Sequence, residues 1–346
     1  MSKQQDKRRL LLEVVLNIAA DGGHVVFLPH ERFDPDAIGA SISLAEVFRA
    51  IGCETTVLVD AKPPAAMSHL PLLNTIQVYE PGLFCLSYDL ALAIDCHEAD
   101  RIGARADCLA QSRFRGSVDH HIVSTELGRL DLVVPSASST CEVAFEIIWD
   151  LEHHLAKPLF NDDIAILLLA GAITDTGRYS YSNTTPTAFR QAAFLLERFD
   201  IDLAALNHEL FERTTIGRLQ IKGDILSNMV VIDDGRILVA SVTRDMLKLR
   251  DVEDDDLANF ASEMRGANGV EVTMLFTESI NPSGVRVNIR SNGCFDAAQF
   301  AKQFGGGGHL RAAGMTLQGI TLDEAKDCVL REAKRALSVC RGELRS

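Results

Sequence analysis

Short apolar runs alternate with amphipathic segments through the first half of the chain. The runs are rich in β-branched residues and predict buried strands, whereas the amphipathic segments that begin near residues 36 and 99 predict helices. Strand, helix, strand order with apolar strands is typical of a mainly parallel sheet covered by helices on both faces. The predicted strands are residues 24–29, 55–59, 89–94, 114–118 and 132–134.

From residue 138 the pattern becomes helical, and Ser138 and Asn161 are suited to cap the first two helices. Beyond about residue 228, strands and helices interleave again, which predicts a second α/β domain. Because 346 residues exceed the usual size of one hydrophobic core, we predict a domain over 1–199, a linker over 200–227 and a smaller domain over 228–346. The predicted helices are 138–155, 161–174, 186–197, 202–212, 257–265, 297–304 and 322–337, and the later strands are 230–232, 237–242, 270–276, 285–289 and 314–317.

Charge and cysteine content narrow the class of protein. Acidic residues outnumber basic ones by 48 to 34, giving a formal charge of −14, whereas proteins that bind long nucleic acid present a basic face. A long nucleic acid is therefore not an expected partner, but a short phosphorylated substrate is compatible, because bound metals and a few arginines supply local positive charge. The eight cysteines form no CxxC pair, so we expect reduced, mostly buried thiols.

The amino-terminal segment has basic residues followed by an apolar stretch, 10–20, which Glu13 and Asn17 interrupt. No small-residue cleavage site follows, so we interpret it as an amphipathic helix and not as a signal peptide. No uninterrupted apolar run approaches the roughly 20 residues that a bilayer span needs. We therefore expect a cytoplasmic protein without a membrane partner.

Metal-ligand side chains follow three of the predicted strands at the point where each ends. Because the carboxyl ends of parallel strands meet at one edge of a sheet, we expect these side chains to lie close together. Oxygen and imidazole donors without thiolate favour Mn²⁺ or Mg²⁺, and two such ions would neutralise clustered carboxylates. The side chains are His30, Asp34 and Asp36 after the first strand, Asp95 after the third, and Asp119, His120 and His121 after the fourth.

Each segment also has a simpler interpretation when it is taken alone. Asp34 and Asp36 fit a turn residue and a helix cap, and Asp95 fits a cap for the next helix. Adjacent histidines often lie in solvated loops, as we expect for His153 and His154. The occurrence of all three segments in one chain favours a shared metal site.

Five ordered motifs resemble those of the DHH phosphoesterases with their associated DHHA1 domain. They span about residues 20–335 and imply a parallel-sheet DHH domain, a smaller mixed-sheet DHHA1 domain, and an active site in the cleft between the two. The motifs are His-x₃-Asp-x-Asp at residues 30–36, Asp95, the triplet Asp119-His120-His121, Thr174-Asp175-Thr176-Gly177, and the glycine run of residues 304–309 with Ala312-Ala313-Gly314.

The resemblance implies roles for the residues of the metal site. Asp95 would bridge two ions, Asp119 would orient an imidazole, and His121 would contact the phosphate or assist proton transfer. His97 matches no motif ligand and stays unassigned. The implied ligands are His30, Asp34 and Asp95 for one ion, and Asp36, Asp95, His120 and Asp175 for the other.

In this family the glycine-rich loop holds the substrate's terminal phosphate or nucleotide. Four consecutive glycines allow backbone N–H groups to approach an anion closely, and neighbouring basic side chains add charge. Arg101 fits a substrate role and a surface ion pair equally well. The implied substrate-binding residues are Arg290, Ser291, Gly306, Gly307, Gly308 and His309, with Arg101.

A two-domain chain of this kind resembles the group that degrades short oligoribonucleotides to mononucleotides and removes the 3′-phosphate of 3′-phosphoadenosine 5′-phosphate (pAp). Two Mn²⁺ ions are the implied cofactor, with Mg²⁺ as the other candidate, and they would activate water. The implied partner is short RNA or a small nucleotide, and a homodimer is the oligomeric state we consider.

Other functions stay open. One is a cyclic-di-AMP or pApA phosphodiesterase of the same superfamily. Another, in a different class, is a catalytically inactive nucleotide-binding module. The presence of all six ligands argues against this second alternative. A RecJ-like exonuclease would need a longer chain and a basic strand-binding channel. An inorganic pyrophosphatase would lack the glycine run.

Overall fold

The computed structural model describes residues 3–84, 87–122, 126–257, 260–279 and 284–342. The chain divides into two compact units, Met1–Arg213 and Thr214–Ser346. The predicted domain boundaries at residues 199 and 228 stay predictions, and the predicted linker is largely helical. Within it, Ile221 and Ile225 pack into a core of the second unit.

The first unit contains a six-stranded parallel sheet, which confirms the predicted fold class. Its strands lie in the order β3-β2-β1-β4-β5-β6, so β4 lies between β1 and β5. Among the strands described in this unit, only the two-residue β3 was not predicted, because one exposed and one half-buried residue carry no periodic signal. The strands are β1 (His24–Pro29), β2 (Glu54–Val59), β3 (Gln77–Val78), β4 (Leu90–Ile94), β5 (Phe114–Asp119) and β6 (Leu132–Val133).

Both faces of this sheet are buried, which explains why its strands are apolar without alternation. Val25 and Phe27 of β1 face the larger core, while Val26 and Leu28 face a second, smaller core on the opposite side. The helices of the first unit are α1 (Lys3–Ala20), α2 (Pro35–Ala50), α3 (Ala106–Gln111), α4 (Thr140–Leu155), α5 (Asp162–Asp175), α6 (Pro186–Arg198) and α7 (Leu203–Asn207), with a π-helical turn at His208–Glu212 and 3₁₀ turns at Ala65–Met67, Leu73–Thr75, Ala99–Arg101 and Gly103–Arg105.

Two local predictions in the first unit need correction. The predicted helix from residue 99 is two 3₁₀ turns followed by α3, because Gly103 adopts a left-handed φ of +63° that interrupts it. The cap of α4 is Ser139, whose side chain accepts from the Glu142 N–H, and not Ser138. The predicted cap of α5, Asn161, is confirmed.

The second unit has a mixed six-stranded sheet, as predicted. Its order is β11-β12-β10-β9-β8-β7, with β8 and β9 parallel and the other pairs antiparallel. The strands are β7 (Val230–Ile232), β8 (Ile237–Val242), β9 (Val272–Ser279), β10 (Gly284–Ser291), β11 (Gly307–His309) and β12 (Ala312–Leu317), and the helices are α8 (Ile216–Ser227), α9 (Arg244–Arg250), α10 (Phe260–Met264), α11 (Ala297–Lys302) and α12 (Leu322–Cys340), with a 3₁₀ turn at Asp254–Leu257.

Residues 258 and 259 of the predicted helix at 257–265 lie outside the described residues. Among the helices of the described part, none is both long and apolar enough to cross a membrane.

A disulfide joins Cys294, just beyond β10, to Cys340 at the end of α12. The expectation that all cysteines are reduced was therefore wrong for this pair. The two residues are 46 positions apart, and only the return of α12 to the sheet brings their Cα atoms within 5.8 Å. Cys85 lies outside the described residues. The other cysteines are free, namely the buried Cys53, Cys96, Cys108 and Cys141, and the half-buried Cys328.

In denaturant, we expect the untreated protein to show two fewer reactive thiols than the reduced protein, because Cys294 and Cys340 are paired. Cys294→Ser should lower the free energy of unfolding by about 4 kcal/mol, because the cross-link closes a 46-residue loop. Cys328→Ser is the matched control and should retain the bond. Eight reactive thiols in the untreated protein would contradict the pairing.

Candidate metal centre

The six predicted ligand residues converge at the carboxyl end of the parallel sheet. Asp95 follows β4 and lies beside the residues that follow β1 and β5, while Asp175 arrives at the end of α5. Potential donor atoms lie within 4.8 Å of one another in three overlapping groups. The groups are His30, Asp34 and Asp95; Asp36, His120 and Asp175; and Asp95, His120 and His121.

Asp95 lies at the centre of this cluster. Its Oδ2 is 3.3 Å from His30 Nε2, while its Oδ1 is 3.7 Å from His120 Nε2 and accepts a 2.6 Å hydrogen bond from Thr140 Oγ1. The backbone of Asp95 has a φ of +58°, in the left-handed region that few residues other than glycine adopt. Such conformations concentrate at functional sites. The two oxygens thus face different groups, which suits a bridging carboxylate.

Asp34 caps a helix and also reaches the cluster. Its Oδ1 accepts from the N–H groups of Asp36 and Ala37, each at 3.0 Å, at the start of α2. The same side chain belongs to the group that contains His30 and Asp95. The cap interpretation and the ligand interpretation are therefore compatible, because a carboxylate has two oxygens.

The carboxylate of Asp36 is fully buried and faces the first turn of α4. Its Oδ2 accepts from the Thr140 N–H at 2.7 Å, and its Oδ1 accepts from the Cys141 N–H at 2.8 Å. A helix N-terminus presents unpaired N–H groups and a positive dipole end, so it stabilises a buried anion. Thr140 and Cys141 are functional neighbours that sequence reasoning missed.

Backbone carbonyls hold the two histidines that are predicted as ligands. His30 Nδ1 contacts the carbonyl of Glu31 at 2.8 Å, and His120 Nδ1 contacts that of Ala137 at 3.3 Å. A carbonyl accepts only, so each Nδ1 carries a proton and donates. The Nε2 atom of each ring then faces a carboxylate oxygen of the cluster at 3.3 Å. This tautomer is the one that leaves Nε2 available to a cation.

Burial and mutual repulsion raise the pKa values of Asp34, Asp36 and Asp175. Burial, followed by the charges of Asp95 and Asp175, raises the pKa of Asp36 well above its usual value. Burial also raises the pKa of Asp175 to about 6. These carboxylates need positive charge, and oxygen and imidazole donors suit hard or borderline divalent ions. The donor set therefore fits the implied metals.

Asp119 and His121 lie beside the cluster. Asp119 is buried, and its Oδ1 accepts from His121 Nδ1 at 2.7 Å. Its Oδ2 is 2.6 Å from His97 Nδ1, a contact that sequence reasoning missed. Burial works to raise the pKa of Asp119, but the hydrogen bonds from His121 and His97 outweigh it and lower the pKa. The bond to Asp119 raises the pKa of His121 to about 9.

Arg101 is connected to the cluster through its backbone. Its carbonyl accepts from the Glu31 N–H at 2.7 Å, which ties the segment after β4 to the loop that contains His30. The Arg101 residue itself is exposed. A substrate role for its side chain stays a prediction.

In the second unit, the glycine-rich segment is partly a strand. The prediction of a loop is wrong for Gly307–His309, which forms the edge strand β11 and pairs with β12. A Cβ at Gly306 would lie 2.3 Å from the carbonyl oxygen of Gly314, and one at Gly308 would lie 2.5 Å from that of Ala312. Backbone packing therefore requires these two glycines. A Cβ at Gly307 would meet nothing within 4 Å, so packing does not explain that glycine.

The other predicted substrate-binding residues differ in exposure. Half-buried Arg290 donates from Nε to Ser262 Oγ at 3.0 Å, and burial, followed by the charge of Arg265, lowers its pKa. His309 is exposed at the end of β11. Ser291 is fully buried, and its hydroxyl donates to the carbonyl of Phe295 at 2.8 Å. A substrate contact by Ser291 stays a prediction.

Comparison with known protein families matches two domains, in the order that the sequence motifs predict. The family described as "DHH family, N-terminal domain" matches residues 24–172, and the DHHA1 domain matches residues 234–338. The bifunctional oligoribonuclease and PAP phosphatase NrnA of Thermus thermophilus is 30% identical over 337 residues, which cover 96% of this chain and 95% of that protein. The cyclic-di-AMP phosphodiesterase GdpP of Geobacillus thermodenitrificans is 25% identical over 94% of this chain, which spans 49% of that longer protein.

A solved structure of similar fold is an exopolyphosphatase-related protein from Bacteroides fragilis. It has a TM-score of 0.83 and 23% sequence identity, and the match covers 95% of this chain and 98% of that one. This likeness concerns the fold alone. The two matched family domains and the relative that is 30% identical over nearly its whole length lead to one conclusion: the chain belongs to the DHH family of metal-dependent phosphoesterases.

Proposed function

We propose that this protein is a two-metal phosphoesterase that hydrolyses short oligoribonucleotides to mononucleotides and removes the 3′-phosphate of pAp. The observation that carries the proposal is the overlap of the donor groups, which share Asp95 and His120. Overlapping donor groups suit two neighbouring ions, which is the arrangement that phosphoryl hydrolysis uses. Similarity to the NrnA protein supports the choice of substrates.

Eight side chains would have distinct roles at this site. His30, Asp34 and Asp95 would hold one ion, and Asp36, Asp95, His120 and Asp175 would hold the other. Such ions, Mn²⁺ or Mg²⁺, polarise a phosphate group and lower the pKa of water. His121 is half-exposed and presents Nε2, because Asp119 holds its Nδ1. From there it would donate a hydrogen bond to a phosphate oxygen of the substrate.

The second unit would bind the end of the substrate. β11 is the edge strand of its sheet, and an edge strand carries backbone N–H groups that no neighbouring strand uses. Gly307 would let a ligand approach the backbone of β11 closely, because a Cβ built there would meet nothing within 4 Å. Arg290 and His309 would add positive charge, while the contributions of Ser291 and Arg101 stay predictions.

A cyclic-di-AMP or pApA phosphodiesterase is the second candidate, and similarity to the GdpP protein favours it. The same metal site would serve both reactions, so only the substrate distinguishes them. An inactive nucleotide-binding module would have no need for a buried, mutually repelling donor set.

The proposal includes a small nucleotide or short RNA as the partner and excludes a long nucleic acid. The cytoplasmic location and the homodimer stay predictions.

A product assay with Mn²⁺ separates these candidates. We expect release of AMP from pAp and of mononucleotides from a short RNA ladder, with little turnover of a long RNA or of cyclic-di-AMP. The products would be resolved by chromatography, and the Asp95→Asn protein serves as the blank. Preferential hydrolysis of cyclic-di-AMP or pApA would transfer the proposal to the second candidate, and absence of hydrolysis in all arms would refute both.

Asp95→Asn tests the metal assignment without substrate. Asparagine has nearly the same shape and tolerates left-handed backbone, so the fold should persist. In EDTA the variant should melt no lower than the parent protein, because one repelling charge is removed. Mn²⁺ at 100 times its Kd should stabilise only the parent, by about 2.7 kcal/mol.

Asp100→Asn changes an exposed aspartate in the same segment and is the matched control. It should keep the Mn²⁺ response and full activity. Asp95→Asn should lower activity by more than about 100-fold, because a loss of about 100-fold is the most that changing a residue outside the ligand set typically causes. An undiminished Mn²⁺-induced rise in melting temperature in Asp95→Asn would rule out Asp95 as the shared ligand.

Gly307→Ala tests close approach of substrate to β11. The side chain has open space, so stability should be unchanged, but the methyl group would obstruct a ligand at the strand edge. We expect KM for pAp to rise about 10-fold, which corresponds to about 1.4 kcal/mol, with unchanged Mn²⁺ binding. Gly223→Ala, also in open space, is the control. Equal KM values for both variants would exclude β11 as a binding edge.

A further inference from the structure

His97 makes a buried contact that the reaction machinery described above does not use. It lies two residues beyond Asp95, in the segment after β4, and only 9% of it is exposed. Because β4 and β5 are parallel neighbours, this segment lies beside the end of β5, where Asp119 is located. The His97 Nδ1 atom is 2.6 Å from Asp119 Oδ2.

The two oxygens of Asp119 accept hydrogen bonds from different residues. Oδ1 accepts from the backbone N–H of His120 at 2.7 Å, from that of His121 at 3.1 Å, and from the His121 ring. Within the described part of the chain, His97 alone donates to Oδ2. An ionised carboxylate only accepts, so both rings donate through Nδ1. Without His97, a fully buried carboxylate oxygen would lose this donor, which is costly.

A metal-ligand role for His97 does not fit this geometry. His97 belongs to none of the three donor groups found in the described residues. Its Nδ1 faces Asp119, on the side of that carboxylate away from the oxygen that holds His121. His97 therefore holds Asp119 by a hydrogen bond, and Asp119 in turn holds the exposed imidazole of His121.

We propose that His97 is a positioning residue, which locks the Asp119 carboxylate and thereby holds the His121 ring with Nε2 directed towards the substrate phosphate. This inference rests on the proposed function only for the identity of the substrate. His97 touches neither substrate nor metal in this role, and it acts through Asp119.

The test compares His97→Phe, which keeps a ring but removes the donor, with His97→Asn, whose amide N–H replaces Nδ1. Side-chain ¹⁵N NMR of the metal-free protein reports on His121, whose signals are identified by their loss in His121→Ala. We expect an Nδ1-protonated, hydrogen-bonded His121 ring in the parent and in His97→Asn, and altered, averaged signals in His97→Phe. His97→Ala repeats the donor-free arm if the phenylalanine protein does not fold.

Kinetics with Mn²⁺ give the second readout. His97→Phe should lower kcat about 10- to 100-fold with little change in KM, and His97→Asn should restore most of it. In a His121→Ala background, His97→Phe should cost little more, because its effect passes through His121. Unchanged His121 signals in His97→Phe, equal defects in both His97 variants, or additive losses would overturn the assignment. The NMR arm decides even if no tested substrate is hydrolysed, so failure of the proposed function is recognised separately.

Discussion

Four carboxylates share one edge of the parallel sheet in the first unit, and their repulsion is the constraint to which the surrounding structure responds. Buried like charges are costly unless dipoles, hydrogen bonds or cations compensate them. Here the N-terminus of α4 donates two N–H groups to the most buried of them. Backbone carbonyls orient two imidazoles so that their Nε2 atoms face the cluster. The carboxylates are those of Asp34, Asp36, Asp95 and Asp175.

The fold supplies this arrangement because three neighbouring parallel strands end at the same place. β1, β4 and β5 are adjacent, so the residues that follow them meet although they are far apart in the chain. The support continues outwards from Asp119 to His97 and His121 through hydrogen bonds of 2.6 and 2.7 Å. Rigid strands and saturated hydrogen bonds thus limit the freedom of the groups that would touch ions and phosphate.

The glycine run in the second unit shows why composition alone is ambiguous. Gly306 and Gly308 are required by close backbone packing, which is a structural reason, whereas Gly307 has open space around it. A run of four identical residues therefore contains positions with different explanations. The strands of the first unit agree with the predicted ones because both faces of that sheet are apolar. The helix predicted from residue 99 is interrupted at Gly103, and α4 is capped by Ser139 and not by Ser138.

The sequence by itself determined the donor types, their order along the strands and the family, because strand periodicity and motif spacing are local properties. Tertiary structure alone decided which atoms meet. The contacts of Asp36 with Thr140, of His97 with Asp119, and of Cys294 with Cys340 join residues 104, 22 and 46 positions apart. No local pattern encodes such pairs, since they depend on how helices and strands pack against one another, and packing is where buried charges find their partners.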